Sequence, residues 1–331
     1  MQEGVLITAP ISDHFDGRRF FNPTGAHGQP FSAVPRMLRE PRTPWPKEIP
    51  VREVAPPAPG DAAAAITFIG HSTFLVQTPS GHLITDPVYA MHAGPVGRFG
   101  PRRVRRPAVA FDDLPRISTV LLSHNHYDHC DLRTLAALRE RFQPHVITPV
   151  GNARLLRSAG ITQAEELDWW GESTAAPFRV VATPAQHFSA RTPFDRNRGL
   201  WGGFVVSAGP IRIFFAGDTG YAPHFRDVRA RCGVVDIALL PIGAYEPRWF
   251  MKDMHMNPAE AVQAHEDLGS PRSIAMHFGT FQLTTEGIDE PVRALGAALD
   301  SRGIAREKFR ALEFGETVFV GEPLIVHFAG P

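Results

Sequence analysis

Three histidines and one aspartate crowd into six residues of the chain, in the stretch Ser123-His-Asn-His-Tyr-Asp-His129. The stretch follows the apolar run 119–122, which is typical of a buried strand. A tight loop at a strand end turns alternate side chains inward, so the first two histidines converge on one point and the aspartate and last histidine on another. Neutral imidazole and carboxylate suit zinc and other borderline divalent metals. Two ligand pairs in one loop therefore predict two metals about 3.5–4 Å apart.

Three further potential ligands occur where later strands are predicted to end. His187, Asp218 and His277 each follow an apolar run of strand length. Glycines on both sides of Asp218 let the backbone come close and aim the carboxylate at the site. An aspartate in this position can bridge two metals. We expect His187 to complete the first metal site and His277 the second.

Other polar residues could support such a site. Asp86 ends a predicted strand, where a carboxylate can orient a metal-bound imidazole. His71 joins two short strands, and a structural role and a site role fit it equally well. His265 shares a helix face with apolar residues, so it is a hydrogen-bonded core histidine or a residue that supports a ligand. Cys130 adjoins the motif, and a buried bystander is its simpler interpretation.

Two loops could meet a substrate. Residues 97–107 are rich in arginine, and arginine clusters bind phosphate through forked, charge-assisted hydrogen bonds. For any single arginine of this loop, a solvated position is the simpler interpretation. Residues 243–252 contain three aromatic side chains after a strongly apolar strand, which favours one wall of a cleft.

The composition narrows the class of protein. The 331 residues are 43% hydrophobic, enough for one large core or two ordinary ones. The formal net charge is zero, so nucleic acid is not an expected partner. No apolar stretch reaches about 18 residues, and no basic segment precedes an apolar one near the start, so neither a spanning helix nor a secretion signal is predicted. The two cysteines form no disulfide framework, which is compatible with a reducing compartment, so a cytoplasmic location is predicted. Any contact with a membrane is expected only at its surface.

The first part of the chain differs from the rest. Residues 1–60 are proline-rich and irregular, which predicts an arm or cap, and residues 61–331 are predicted to form the catalytic domain. Phe20, Phe21 and Met37 make the arm too apolar for a free linker. The arm either packs onto the core or lines a groove for a hydrophobic substrate. Peripheral membrane contact is a hypothesis based on these phenylalanines and the arginine-rich loop.

Ligands at strand ends in the order HxHxDH, His, Asp, His resemble the metallo-β-lactamase superfamily. Within it, the chain is similar to the N-acyl-phosphatidylethanolamine-hydrolysing phospholipase D family. The segments that carry this similarity are 123–129, 167–170, 200–202, 214–221 and 241–252. The resemblance covers roughly residues 60–320. It implies the α/β class, a four-layered αββα sandwich, and two zinc ions.

The resemblance also implies roles for individual residues. The metal ligands it implies are His124, His126 and His187 for one zinc, Asp128, His129 and His277 for the other, and Asp218 as the bridge. Asp218 would hold the attacking hydroxide and Asp128 would accept its proton. His255 or His265 would orient the phosphate or the leaving oxygen, and the sequence does not choose between them. The residues implied to support the ligands or meet the substrate are Asp86, His71, Tyr127, Tyr245 and Arg248.

The implied activity is zinc-dependent hydrolysis of a phospholipid or another phosphodiester. The alternative within enzymes is a lactonase or another small-molecule metallohydrolase, because fold alone does not settle function. A third hypothesis is a non-catalytic zinc-containing lipid-binding protein, which the loss of a ligand would indicate, and the chain lacks none of them. The sequence leaves open whether the chain forms a homodimer.

Overall fold

Two β-sheets form the centre of the protein in a computed structural model, which describes residues 10–174, 177–321 and 328–329. Within these ranges, the strands of the first sheet are β1 (Ala64–Gly70), β2 (Thr73–Thr78), β3 (Gly81–Thr85), β4 (Thr119–Leu121), β5 (His145–Pro149), β6 (Glu165–Leu167), β14 (Thr317–Val320) and β15 (Phe328–Ala329). Those of the second sheet are β7 (Glu172–Ser173), β8 (Arg179–Thr183), β9 (Gly203–Ala208), β10 (Ile211–Phe215), β11 (Ile237–Pro241), β12 (Ser273–Met276) and β13 (Phe309–Arg310). The orders are β15-β14-β1-β2-β3-β4-β5-β6 and β13-β12-β11-β10-β9-β8-β7.

Five helices pack on the sheets, namely α2 (Leu132–Phe142), α3 (Ala153–Arg157), α4 (His224–Cys232), α6 (Pro258–Leu268) and α7 (Glu290–Ser301), within the described residues. Two shorter helices, α1 (Val34–Met37) and α5 (Arg248–Met251), lie in the arm and in the loop after β11. Short 3-10 turns lie at Phe31–Ala33, Pro95–Gly97, Phe111–Asp113 and Arg306–Lys308. Among the described helices, none combines the length and apolar character needed to cross a bilayer.

Alternate side chains of the strands face two different apolar layers, as the pleat of a strand requires. In β2, Phe74 and Val76 join the core between the two sheets, whereas Leu75 packs on the opposite face with Leu135 of α2 and Leu156 of α3. The core between the sheets continues into α4, α6 and α7 on the far side of the second sheet. The predicted four-layered αββα sandwich is therefore confirmed.

Helix starts follow the local sequence signals. Asp131 precedes α2 and its side chain accepts a hydrogen bond from the backbone N–H of Arg133. At the start of α6, Asn257 and Glu260 form a reciprocal capping box around Pro258. Both caps use residue types that favour a helix start.

The arm is irregular but packs onto the sandwich. Phe15 and Phe20 are buried against Trp201. Asn22 holds the backbone of His187, since its Nδ2 donates to the carbonyl at 2.9 Å and its Oδ1 accepts from the N–H at 3.2 Å. Gly28 has a φ of 62°, and a Cβ at this position would meet Met254 Cγ at 3.1 Å. The arm thus lies close to the predicted ligands. The division of the chain at residue 60 into an arm and a catalytic domain stays a prediction.

Candidate metal centre

Parallel pairing brings the chemistry-bearing loops to one edge of the sandwich. Strand β3 pairs in parallel with β4, and β10 pairs with β11, which pairs with β12. Asp86 and the loop 123–129 follow the first pair, and Asp218 and His277 follow the outer strands of the second set. Gly217 has a φ of 60°, and a Cβ there would lie 2.8 Å from the Ser123 Cβ, so only glycine lets these two loops come this close.

Three histidines form a first cluster, His124, His126 and His187. His126 Nδ1 lies 2.8 Å from His124 Nε2 and 3.2 Å from His187 Nε2. Zinc–nitrogen bonds of about 2.0–2.1 Å place tetrahedral ligand atoms roughly 3.3 Å apart. The three nitrogens therefore have the spacing of a metal site.

Asp128, His129 and His277 form a second cluster, with His71 beside it. Asp128 Oδ2 lies 3.5 Å from His129 Nε2, 3.3 Å from His277 Nε2 and 3.1 Å from His71 Nε2. The His71 carbonyl also accepts a hydrogen bond from the His277 backbone N–H at 2.9 Å. Of the two roles that fit His71 in the sequence, these contacts favour the site role.

Asp218 lies between the two clusters. Its Oδ2 is 3.0 Å from His129 Nε2 and 3.1 Å from His277 Nε2. The same oxygen is 3.8 Å from His187 Nε2 and 4.0 Å from His124 Nε2. One carboxylate oxygen thus reaches both clusters, which is the geometry that a bridging ligand needs.

Hydrogen bonds on the far side of the rings fix which nitrogen faces the centre. His129 Nδ1 lies 2.7 Å from Asp86 Oδ2 and donates to it. The Ser123 hydroxyl donates to the same carboxylate at 2.6 Å, so His124 Nδ1, 2.8 Å from that hydroxyl, is the donor in their contact. His187 Nδ1 donates to a backbone carbonyl at 3.0 Å. Each ring therefore turns the lone pair of Nε2 towards the centre, as metal ligands do.

Several buried atoms of the centre have no hydrogen-bond partner among the described residues. They include His129 Nε2, His277 Nε2 and Asp218 Oδ1. Buried polar atoms are normally satisfied, so such a group of orphans calls for a partner that is not a protein residue. Inward lone pairs beside carboxylate oxygens fit cations. The residues present therefore fit a two-metal site.

The electrostatics agree with this chemistry. Burial lowers the pKa of His126 to about 4 and that of His187 to about 3, which keeps both rings in the neutral, metal-binding form. Burial also lowers the pKa of His277, but Asp218 and Asp128 outweigh it and raise this pKa to about 9. A cation among these carboxylates would compete with that proton, so metal binding is coupled to proton release.

The two histidines proposed to assist the reaction lie in different places. His255 is buried, and its ring centroid is 5.0 Å from that of His187 and 5.4 Å from that of His277. His265 instead bonds Ser273 at the start of β12, with 2.8 Å between its Nδ1 and the hydroxyl. Since His277 follows the other end of this four-residue strand, roughly 13 Å along it, the structure brings His255 to the predicted ligands and not His265.

The residues predicted to meet the substrate have protein partners. Arg248 pairs with both carboxylate oxygens of Glu260 at 2.9 and 2.8 Å and donates to the His255 carbonyl at 2.9 Å. Tyr245 donates to Glu290 at 3.1 Å. Arg248 therefore supports the backbone that carries His255, and the structure does not bring either side chain to the two clusters.

Tyr127 and the arginine-rich loop are likewise engaged in the fold. The Tyr127 hydroxyl donates to the Arg191 carbonyl at 3.1 Å, and the Arg191 guanidinium stacks on the tyrosine ring. Arg103 is buried and donates to backbone carbonyls, among them that of Val88 at 2.7 Å. Arg105 donates to the Gly279 carbonyl at 2.8 Å, just beyond His277. These arginines tie the loop to its surroundings and do not form a phosphate-binding cluster.

A cavity of about 270 Å³ opens onto the centre. Its lining includes the polar residues Gln29, His126, Asp128, Arg196, Asp218, His255 and Thr284. The remaining wall is mostly apolar and includes Val34, Met37, Phe188, Ala244, Phe250, Met251, Met254 and Leu283. Val34 and Met37 come from the arm, which thus both packs on the core and lines the groove. Sequence reasoning gave Arg196 and Asn22 no role, because Arg196 lies in no motif and Asn22 acts through contacts with His187 that only the fold supplies.

Comparisons with known proteins agree with this architecture. A β-lactamase superfamily domain model matches residues 82–278. The chain is 40% identical over 247 residues to an uncharacterized protein of Mycobacterium tuberculosis, a match that covers 73% of this chain but only 66% of the relative, slightly under two thirds of its length. It is 36% identical over 265 residues to N-acyl-phosphatidylethanolamine-hydrolyzing phospholipase D 1 of Caenorhabditis elegans, covering 76% of this chain and 74% of that protein. A metallo hydrolase structure from Ignicoccus hospitalis is similar with a TM-score of 0.58 and 23% identity, covering 77% of this chain and 97% of that one. The chain belongs to the β-lactamase superfamily.

Proposed function

We propose that the protein is a di-zinc phosphodiesterase of phospholipase D type that hydrolyses N-acyl-phosphatidylethanolamine-like phospholipids. The observation that carries the proposal is the position of Asp218, whose Oδ2 lies 3.0–4.0 Å from ligand nitrogens of both clusters. A shared carboxylate of this kind suits a pair of metals that acts on one phosphoryl group.

Different residues would bind the metals, accept the proton and hydrogen-bond the substrate. The first cluster and the second cluster would each hold one zinc, and the pair would lower the pKa of a water towards neutrality and neutralise charge on the phosphoryl oxygens. Asp128 lines the cavity and would take the proton of that water. Burial lowers the pKa of His255 well below its usual value, so its neutral ring can donate a hydrogen bond to a phosphoryl or leaving oxygen.

The cavity wall supports a lipid substrate. Beside the polar floor, Met37, Phe250, Met251 and Leu283 offer an apolar surface for an acyl chain. The similarity to the Caenorhabditis elegans protein, whose name states this substrate, points the same way.

Peripheral membrane contact is part of the proposal, through exposed apolar residues and not through the buried Phe20. Phe20 is buried and cannot insert into lipid. Leu38, next to the cavity residue Met37, is 60% exposed, and Phe194, two residues from the cavity residue Arg196, is 81% exposed. Co-sedimentation with phosphatidylcholine vesicles should fall when both are changed to serine. Unchanged co-sedimentation would contradict this contact.

A substrate panel tests the proposed activity. Zinc-loaded protein is assayed on an N-acyl phosphatidylethanolamine, a chromogenic phosphodiester, a lactone and a β-lactam. We expect hydrolysis of the first two, with phosphatidic acid as a product of the first. Hydrolysis of the lactone alone would favour the alternative function, and no turnover of any compound would favour a zinc-containing binding protein.

A further inference from the structure

An arginine outside both clusters joins the two loops that supply the first cluster. Two ligands of that cluster lie in the motif 123–129, whereas His187 lies in the loop 184–202 between β8 and β9. Arg191 belongs to this second loop, four residues after His187. Its side chain contacts the motif, so it links the two parts of the chain from which the first cluster is built.

The Arg191 guanidinium holds both ends of a segment that carries three ligands. Its Nη1 donates to the Asn125 carbonyl and to the Cys130 carbonyl, each at 2.9 Å. These carbonyls flank residues 126–129, and Nη1 carries two N–H groups, one for each of them. The guanidinium also stacks on the Tyr127 ring, with 3.9 Å between its carbon and the ring centroid. A planar, forked donor suits this combination of contacts, whereas a lysine ammonium is a compact point charge.

A second contact runs in the opposite direction, from the motif to the arginine. The Tyr127 hydroxyl donates to the Arg191 carbonyl at 3.1 Å. The loop around Arg191 is itself closed by hydrogen bonds. The Asn197 N–H donates to the Ser189 carbonyl at 2.7 Å, and Asp195 Oδ1 accepts from the Arg191 N–H at 3.0 Å. The arginine therefore projects from a loop of defined shape, which lets it fix the position of the motif.

The place of this link matters for the first cluster. The two loops also meet where the Gly202 N–H donates to the Ser123 carbonyl at 3.1 Å, before the first ligand of the motif. Arg191 joins them again beyond that point, around the segment that contains His126. There His126 Nδ1 lies 3.2 Å from His187 Nε2, across the gap between the loops. The spacing of this ligand pair therefore depends on the contacts of Arg191.

The second cluster has supports that do not involve the arginine. His129 Nδ1 donates to Asp86 at 2.7 Å. The His277 backbone N–H donates to the His71 carbonyl at 2.9 Å. His277 also comes from a different loop, after β12. Loss of the Arg191 contacts should therefore disturb the first cluster more than the second.

We propose that Arg191 is a positioning residue that sets the spacing between His126 and His187 and thereby determines the metal affinity of the first cluster. It acts through the two ligand loops and takes no part in the hydrolysis itself. The inference rests on the metal sites of the proposed function and adds a residue outside both clusters that controls one of them.

Single-site variants separate this role from a general effect on the fold. His277→Ala removes a ligand of the second cluster and His187→Ala one of the first, so each leaves the other cluster as the tighter site. Zinc affinity is measured by competition with a chelator. In the His277→Ala background, Arg191→Met should weaken zinc binding about 10-fold, as expected when an outer support of a metal site is lost. In the His187→Ala background the change should stay below about 2-fold, as for independent sites.

Cobalt gives a second readout of the same variants. The visible absorption of the cobalt-loaded protein reports the ligand geometry, so Arg191→Met should alter it in the His277→Ala background and leave it unchanged in the His187→Ala background. Arg198→Met is the matched control, since Arg198 is an exposed arginine on the same loop, and it should leave both affinities and both spectra unchanged.

Arg191→Lys keeps the charge without the planar fork and should retain part of the affinity. It takes the place of Arg191→Met if circular dichroism shows that the methionine variant does not fold. An unchanged or higher affinity in the His277→Ala background, an equal loss in both backgrounds, or the same loss in Arg198→Met would overturn the inference. Hydrolysis reports separately: the expected pattern of zinc affinities without turnover of any phosphodiester would contradict the proposed function and leave this inference standing.

Discussion

The metal centre and the cavity wall above it differ in how firmly they are held. In the centre, His124, His129 and His187 each have a hydrogen bond on the far ring nitrogen, and most of the surrounding atoms are buried. The wall is lined by flexible methionines such as Met37 and Met251 and by part of the arm. The difference suggests a fixed apparatus for chemistry below an adaptable surface that selects the substrate.

The largest effect is expected from the bridge between the clusters. Asp218→Asn removes the charge that both metals would share, so kcat for a phosphodiester should fall at least about 10³-fold. Steady-state assays of zinc-loaded protein measure this. Asp112→Asn, at an exposed carboxylate in the turn 111–113, is the control and should leave kcat unchanged. Near-normal turnover of the Asp218 variant would remove the two-metal mechanism.

A smaller effect is expected from Asp86, which hydrogen-bonds a predicted ligand from outside the two clusters. Asp86→Asn weakens the hold on His129 and on the Ser123 backbone and hydroxyl. Zinc affinity should fall about 10- to 100-fold, as is typical when such an outer partner is lost. Competition with a chelator measures the affinity. An unchanged affinity would show that the hydrogen bonds behind the rings do not organise the centre.

A substitution in the cavity wall should change which substrate is preferred and not the rate of the chemical step. Met37→Ala removes apolar surface from the cavity, so KM for a long-chain phospholipid should rise about 5-fold. Turnover of a small chromogenic phosphodiester should not change. Val292→Ala, at an exposed apolar residue of α7, serves as the control. If Met37→Ala slowed both substrates equally, the division between centre and wall would be wrong.

The smallest effect concerns the docking of the arm. Burial lowers the pKa of His14, but its contacts with Asp168 at 2.7 Å and Asp13 at 2.6 Å outweigh this and raise it above 6.5. Since the folded value is the higher one, protonated His14 stabilises the protein below about pH 6.5, and this contribution disappears as pH rises through the folded pKa. Thermal unfolding across this range should show a smaller loss of stability with rising pH in His14→Asn than in the wild type. Identical profiles for the two proteins would refute the effect.

The clustering of the predicted ligands could be predicted from the sequence because its signals are local. The motif at 123–129 follows an apolar run, and His187, Asp218 and His277 each follow a strand, so their convergence on one edge follows from the pattern, whereas the four-layered fold was implied by the family resemblance. The cap residues of α2 and α6 are local in the same sense.

The residues around the substrate were not readable, because their roles depend on partners that only the fold supplies. Arg248 was predicted to support the ligands or to meet the substrate, and only the fold shows that its guanidinium pairs with Glu260. Arg196 had no motif around it, and its place in the cavity depends on the ring of Phe188 and the arm. A sequence shows which residues are charged, but it does not show which protein groups each charge contacts in the fold.

The most direct test of the central claim is a zinc titration of metal-free protein, followed by metal analysis and by hydrolysis of an N-acyl phosphatidylethanolamine. The two clusters joined by Asp218 predict two zinc ions per chain, with full activity only after the second is bound. Full activity with one zinc per chain, or binding of a single ion at saturation, would contradict the account.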